Sequence, residues 1–477
     1  MSNDSPSLQP PLAAALHHTL QYLSPASTNP VAAQASLETL RSQLSLSLAD
    51  DGVDATQVID DLVRAVEGGL NDSAGPRFFG WVIGGSLPAA LAADWLTSAW
   101  DQNAAMYTCA PAASVVEEVA GAWLKDLLQL PATASFSLVT GCQMAHVTCL
   151  AAARNALLAR QQWDVEQEGL AGSPPIRILT STEYHGTTSR AIRLLGLGEK
   201  HMLKLPTDAE GRLRADALEQ ALKSDPLAPT IVVLQAGDLN IGAFDDFATL
   251  IPIAKRFGAW VHIDGAFGLW VAASPSLRHL LRGADAADSW ATDGHKWLNV
   301  PYDCGYAFVA DSEAHRAALS HRASYIDPNA DARDQIDWNP EWSRRARGFA
   351  TYAALRQLGR RGVADLIERT CAHAHALVTR IGALEGAEIL WTPQINQGLV
   401  RFTDPRPGAS AGDSDAFTDR IIAEILASGV ALFSGTTWRG RRAMRVSVCN
   451  WQTSAEDVDL VVACVARILR AAKPSSA

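Results

Sequence analysis

Short apolar runs alternating with helical patterns predict an α/β fold built on a mostly parallel sheet. β-rich runs fall at 135–139 (SFSLV), 176–180 (IRILT), 201–205 (HMLKL), 230–235 (TIVVLQ), 259–263 (AWVHI) and 305–309 (GYAFV). Helix-like segments such as 142–161 and 246–257 separate most of them, which calls for crossover units and a sheet covered on both faces. The composition, 48% hydrophobic and 19% charged in 477 residues, supplies a large core and excludes a disordered chain. In such sheets ligands gather beyond the C-terminal ends of the strands. Most of the chemically interesting residues of this chain fall just after one of these runs.

The flanks read differently. HHTLQYL, AAQASLETLRSQLSL and ATQVIDDLVRAVEGGL repeat apolar positions at helical spacing, split by SPASTNP and DDGVD. A helical segment is expected over 1–90, either as a plain appendage or as an arm that wraps a partner subunit. Residues 91–350 form the large domain. From 351 to 477 a smaller α+β domain is expected. There GFATYAALRQLGRRG and VADLIERTCAHAHALVTRIGAL read as helices, and QGLVRF and MRVSV as strands. A last helix, SAEDVDLVVACVARILRAA, takes Ser454 as its N-cap.

The balance of 40 Lys+Arg against 51 Asp+Glu, a net charge of −11, argues against nucleic acid or an anionic membrane as partner. Seven cysteines (109, 142, 149, 304, 371, 449 and 464) include no C-x-x-C, so neither a disulfide framework nor a zinc site is expected, and a reducing compartment fits. The start, MSNDSPSLQPPLAAALHH, lacks the basic-then-apolar pattern of a signal peptide. The most apolar stretch, 81–100, is interrupted by Pro88 and Asp94. A cytoplasmic protein with no metal is expected.

Four short stretches could carry chemistry. In VHIDGAFG, Asp264 ends an apolar run, where it either caps or pairs structurally or sets a fixed negative charge for a cationic ring nitrogen. In DSWATDGHKW, Lys296 is either a solvated lysine or an amine in a partly desolvated pocket, where a lowered pKa would make it a nucleophile towards aldehydes. In SLVTGCQMAH a strand runs through a glycine turn into a helix, a geometry that suits an anion at Gly141 and Cys142. In STEYHGTTSRA, His185 is either structural or a flat ring that can stack on an aromatic ligand and handle a proton. A lysine for an imine and an aspartate for a pyridine nitrogen are the two groups that pyridoxal 5′-phosphate (PLP) chemistry requires.

Taken in this order, these stretches resemble the group II PLP-dependent amino acid decarboxylases, the family of the aromatic amino acid, glutamate and histidine decarboxylases. The resemblance runs from PRFFGW near 76 to SVCNWQTSAEDVD near 460, and ADSWATDGHKWLNVPYDCG is its most specific segment. It implies the PLP-dependent transferase type I (aspartate aminotransferase-like) fold with a seven-stranded sheet, and a homodimer with its active site at the subunit interface. The implied reaction turns an L-amino acid into its amine and CO2 through a Lys296 aldimine and a quinonoid. The roles it implies put Asp264 on the ring nitrogen, Ala266 and His185 on the two ring faces, and Gly141, Cys142 and His295 at the phosphate. Trp81 and Arg445 would contact the substrate, Val82 and Ile83 would line the pocket, and Asn103, Ala105 and Tyr107 would reach in from a second subunit.

The sequence also departs from the family. The phosphate turn reads TGCQMAH, Asp238 stands where threonine is common, and Asp293 stands where an asparagine can serve the phosphate. A carboxylate there would repel a phosphate, so Asp293 is expected to point away or to meet a cation. In 321–343 the family's loop tyrosine has no clear counterpart; Trp338 falls close to its place and Tyr325 is a substitute. Members without that tyrosine divert to oxidative deamination, so an aldehyde product, a carbon–carbon lyase or an aminotransferase stays open.

Overall fold

In the computed structural model, residues 7–24, 30–321 and 332–473 are described. The strands of the large sheet are β1 (Ser135–Val139), β2 (Arg177–Ser181), β3 (Met202–Leu205), β4 (Thr230–Gln235), β5 (Trp260–Asp264), β6 (Ser289–Asp293) and β7 (Gly305–Val309). They lie in the order β1-β7-β6-β5-β4-β2-β3, with β7 antiparallel to both neighbours and the other pairs parallel. β1, β4, β5, β6 and β7 are buried along their whole length, as expected for strands with helices on both faces. β3, at the edge, is the exposed one.

The apolar pattern predicts no strand at 289–293, because SWATD is too polar to read as a buried run. Its polar groups are satisfied inside instead: Ser289 accepts from the Trp260 indole at 3.0 Å, and the Trp290 indole donates to the Ala284 carbonyl at 2.8 Å.

A second sheet consists of β8 (Ala387–Trp391), β9 (Gln397–Phe402), β10 (Ser434–Trp438) and β11 (Arg441–Ser447), antiparallel throughout in the order β10-β11-β9-β8. The helices Ala411–Ala427 and Ala455–Ala471 pack with it around Phe402, Ile421, Met444 and Val461. Both start with a capping box, from Ser410 and from Ser454. β9 and β11 are the buried centre, while β8 and β10 are half-exposed and have little apolar signature.

The helix Gly348–Gly382 joins the two bodies. It breaks at Gly359 (φ 59°, ψ 179°). Before and just past the break, Ala354 and Val363 sit in the large core; further on, Leu377 and Ile381 sit in the small one. The arginines ahead of this helix are anchors. Arg344 is wholly buried against Glu117 at 2.7 Å and also donates to the Leu138 carbonyl at 2.6 Å; Arg345 meets Asp94, and Arg347 meets Asp303. The N-terminal helices Gln9–Tyr22, Leu37–Leu44 and Ala55–Ala65 carry no buried residue, and His18 and Asp60 tie the first to the third at 2.7 Å. Among the described residues no helix is long and apolar enough to cross a membrane.

Candidate active site

Two carboxylates end adjacent strands: Asp264 closes β5 and Asp293 closes β6. Both are buried. Lys296, three residues past Asp293, brings its ammonium within 3.0 Å of the Asp293 carboxylate and over the Phe267 ring, 6.0 Å from its centroid. The same carboxylate accepts from the Cys142 N–H at 2.5 Å, the first amide of the helix Cys142–Ala159. Asp293 therefore bridges the lysine and the helix N-terminus, and it does meet a cation.

This geometry corrects one expectation. Burial does disfavour the Lys296 ammonium, but Asp293 beside it outweighs the loss and holds the amine well above its ordinary range. In this state Lys296 is protonated rather than activated.

Asp264 is held from several sides. Its Oδ1 accepts from the Ala266 N–H at 3.1 Å, and its Oδ2 lies 3.4 Å from His146 Nε2. Burial pushes the carboxyl up, yet His146 against it and the Lys296 ammonium hold it well below its ordinary range, so it is an anion. Ala266 also takes the Asp293 N–H on its carbonyl at 2.9 Å, which ties the two strand ends together.

His185 caps the helix Gly186–Leu194: its Nδ1 accepts from the Thr187 N–H at 3.3 Å. That leaves the proton on Nε2, assigned from the hydrogen bond. Burial pulls the imidazole down, so the ring is neutral. His295 accepts from the Cys304 N–H on Nδ1 at 3.2 Å and stacks on Tyr302 with centroids 4.2 Å apart. Gly141 is packed so that a side chain there would meet His295 Cε1 at 3.0 Å and Asp293 Oδ1 at 3.4 Å.

Towards the small sheet, Arg445 on β11 is 4% exposed, donates to the Trp81 carbonyl, and leaves its Nε without a partner. Trp81 itself is 55% exposed. Val82 is buried and Ile83 partly so. Asn103 accepts from the Arg344 N–H at 3.2 Å, Ala105 is buried, and the Tyr107 N–H donates to Asp334 at 3.0 Å, so all three are seated within their own chain.

Asp238 acts locally. It accepts from the N–H groups of Asn240, Ile241 and Ala243 and closes the turn after β4. Trp338 rests on Arg333 and His315, and Tyr325 lies outside the described residues.

Sequence reasoning missed three residues. Asn299 is fully buried and takes the N–H groups of Gly85 and Trp451 at 2.7 and 3.0 Å, fastening the lysine loop to the small sheet's end. Nothing in LNVPYDCG marks it. His146 and His262 lie behind Asp264; the i, i+2 spacing of His262 and Asp264 on a strand was the available signal.

A partly buried lysine, an enforced carboxylate anion on the next strand, a histidine ring nearby and a glycine turn opening a helix form a donor set that fits PLP: an amine for the aldehyde, an anion for the ring nitrogen and a close-packed turn for the phosphate. Comparison with known proteins agrees. The sequence model of the pyridoxal-dependent decarboxylase conserved domain matches residues 38–403. The chain belongs to this family and is a PLP-dependent amino acid decarboxylase.

It is 26% identical over 439 residues to the aromatic-L-amino-acid decarboxylase of Bacillus atrophaeus, covering 90% of this chain and 89% of that one. It is 26% identical over 426 residues to the 4-hydroxyphenylacetaldehyde synthase of Rhodiola rosea, covering 87% and 85%. In fold it matches the crystal structure of Oryza sativa TDC with PLP and tryptamine at a TM-score of 0.90 and 23% identity, over 98% of this chain and 99% of that one.

Proposed function

We propose that the chain decarboxylates an L-amino acid to its amine and CO2, with Lys296 as the amine that takes the cofactor aldehyde. The observation that supports this reading most is the position of Lys296 Nζ, 3.0 Å from one strand-end carboxylate and beside a second that is kept ionised. When bound, PLP supplies the electron sink for the pair released as the carboxylate departs.

The chain's own residues do the rest. Asp264 faces the ring nitrogen and keeps it protonated. Ala266 and neutral His185 would hold the two ring faces, with His185 Nε2–H available as a donor. Gly141, the Cys142 N–H and His295 receive the phosphate. The Cys142 N–H is held by Asp293, so phosphate and carboxylate compete for it. Arg445, buried with one nitrogen free, and Trp81 at the mouth orient the substrate carboxylate and side chain. Asn103, Ala105 and Tyr107 complete the pocket of a partner copy in a cytoplasmic homodimer.

The test is to incubate the PLP-loaded protein with a broad amino-acid panel and follow CO2 and products by mass. CO2 with stoichiometric amine and no peroxide is the expected result. A second reading, decarboxylation with oxidative deamination to an aldehyde, is favoured by Trp338: it has no acidic hydroxyl and is packed on Arg333 and His315. Peroxide and aldehyde in equal amounts would select it. Sedimentation of the loaded enzyme at two chain masses is expected for the homodimer.

A further inference from the structure

Behind Asp264 the core contains a line of polar side chains that no step above uses. His146, His262 and Ser289 are each 0% exposed. His146 sits on the helix Cys142–Ala159, His262 on β5 two residues before Asp264, and Ser289 on β6 in register with His262. The contacts run without a gap: Asp264 Oδ2 to His146 Nε2, 3.4 Å; His146 Nδ1 to His262 Nε2, 2.9 Å; His262 Nδ1 to Ser289 Oγ, 2.9 Å. The Trp260 indole, a donor only, closes the far end on Ser289 Oγ at 3.0 Å.

Proton accounting allows two arrangements. If Ser289 donates to His262, then His262 donates to His146, and the remaining His146 proton points at Asp264. If His262 instead donates to Ser289, then His146 must donate to His262, and a second His146 proton is needed to avoid a lone pair facing the carboxylate. Burial, with His146 beside it, pulls His262 down to about 3, so His262 is neutral in both. The first arrangement puts His146 Nε2–H 3.4 Å from Asp264 Oδ2; in the second, a neutral His146 would instead accept on Nε2 from the Cys142 thiol. The other group near this contact, the Cys142 thiol 3.5 Å from His146 Nε2, is pushed well up by burial and stays protonated.

We infer that His146 is a positioning residue: it keeps Asp264 ionised and aimed at the cofactor's ring nitrogen, while His262 and Ser289 fix its tautomer. This rests on the proposed role of Asp264. It also gives the histidine that ends TGCQMAH a role.

The test titrates PLP into apoprotein, followed by absorbance, for wild type, His146→Leu, His146→Gln, Asp264→Asn and the His146→Leu/Asp264→Asn double variant. His146→Leu should weaken PLP binding about tenfold, one pKa unit's worth of interaction, and lower kcat with little change in KM. His146→Gln, whose amide still reaches the carboxylate, should recover most of both. In the Asp264→Asn background His146→Leu should have no further effect.

Wild-type affinity in His146→Leu, or an equal loss with Asp264 already replaced, overturns the inference. So does one tightly held zinc per wild-type chain that His146→Leu releases, because Cys142, His146 and Asp264 come within 4.8 Å of one another. If PLP affinity is unchanged in Asp264→Asn itself, it is the role of Asp264 that has failed.

Discussion

Asp264 and Asp293 make a natural controlled pair. Both close buried parallel strands, both lie beneath the same site, and the two strands are hydrogen-bonded neighbours. Asp264 is backed by a chain of core side chains and one backbone amide, partners that stay in place whatever binds above. Asp293 is satisfied by Lys296 and the Cys142 N–H, the two groups a cofactor would claim. A carboxylate with core partners is a fixed charge. A carboxylate whose partners are the ligand's own contacts is a placeholder.

The largest expected effect breaks the site on the placeholder's side. Lys296→Ala should abolish the visible absorbance of the PLP-loaded protein and cut turnover at least about 10³-fold. Asp264→Ala should come next, lowering kcat about 10²–10³-fold, the range for removing a preorganised charge. Steady-state assays of CO2 release measure both.

Asp293→Asn sharpens the contrast in the opposite direction. With the competing anion gone, PLP should bind apoprotein about tenfold more tightly, roughly 1.4 kcal/mol. Weaker binding would instead make Asp293 an organiser of the turn. Arg445→Lys keeps the charge but loses the fork geometry, and should raise KM about tenfold with kcat little changed.

The smallest effect is a pH dependence. The Asp264 pKa is depressed on folding, so the stability it contributes is present above the unfolded value of about 4 and is lost only as pH falls through the lower folded value. The melting temperature of Asp264→Asn should lie below that of wild-type apoprotein at pH 7, and the gap should close in strong acid.

Much of this pair was legible in advance. Alternating runs located six of the seven large-sheet strands, because a strand buried on both faces must be apolar. β6 escaped because its polar residues find their partners only in three dimensions. β8 and β10 escaped because half-exposed strands need no apolar signature. Asp264, Gly141 and His185 stood out by residue type and by position at or after strands, and Lys296 by residue type between His295 and Trp297. The protonated state of Lys296 did not, because burial alone predicts the wrong sign and Asp293 reverses it. The chain behind Asp264 was out of reach because His146 and His262 are 116 positions apart.

Two glycines carry a consequence for any map of mutational tolerance. A methyl group at Gly84 would strike the carbonyl of Lys296, and one at Gly305 would strike the backbone of Gly141. Neither position offers a side-chain donor, acceptor or charge. In a saturation scan scored for growth on this enzyme's product, both should nonetheless be as blank as Lys296, since the segments that carry the lysine and the anion turn touch their neighbours main chain to main chain. A ranking by intolerance alone would file them among the reactive residues. Separating them takes a readout of folding, in which Lys296→Ala survives and Gly305→Ala does not.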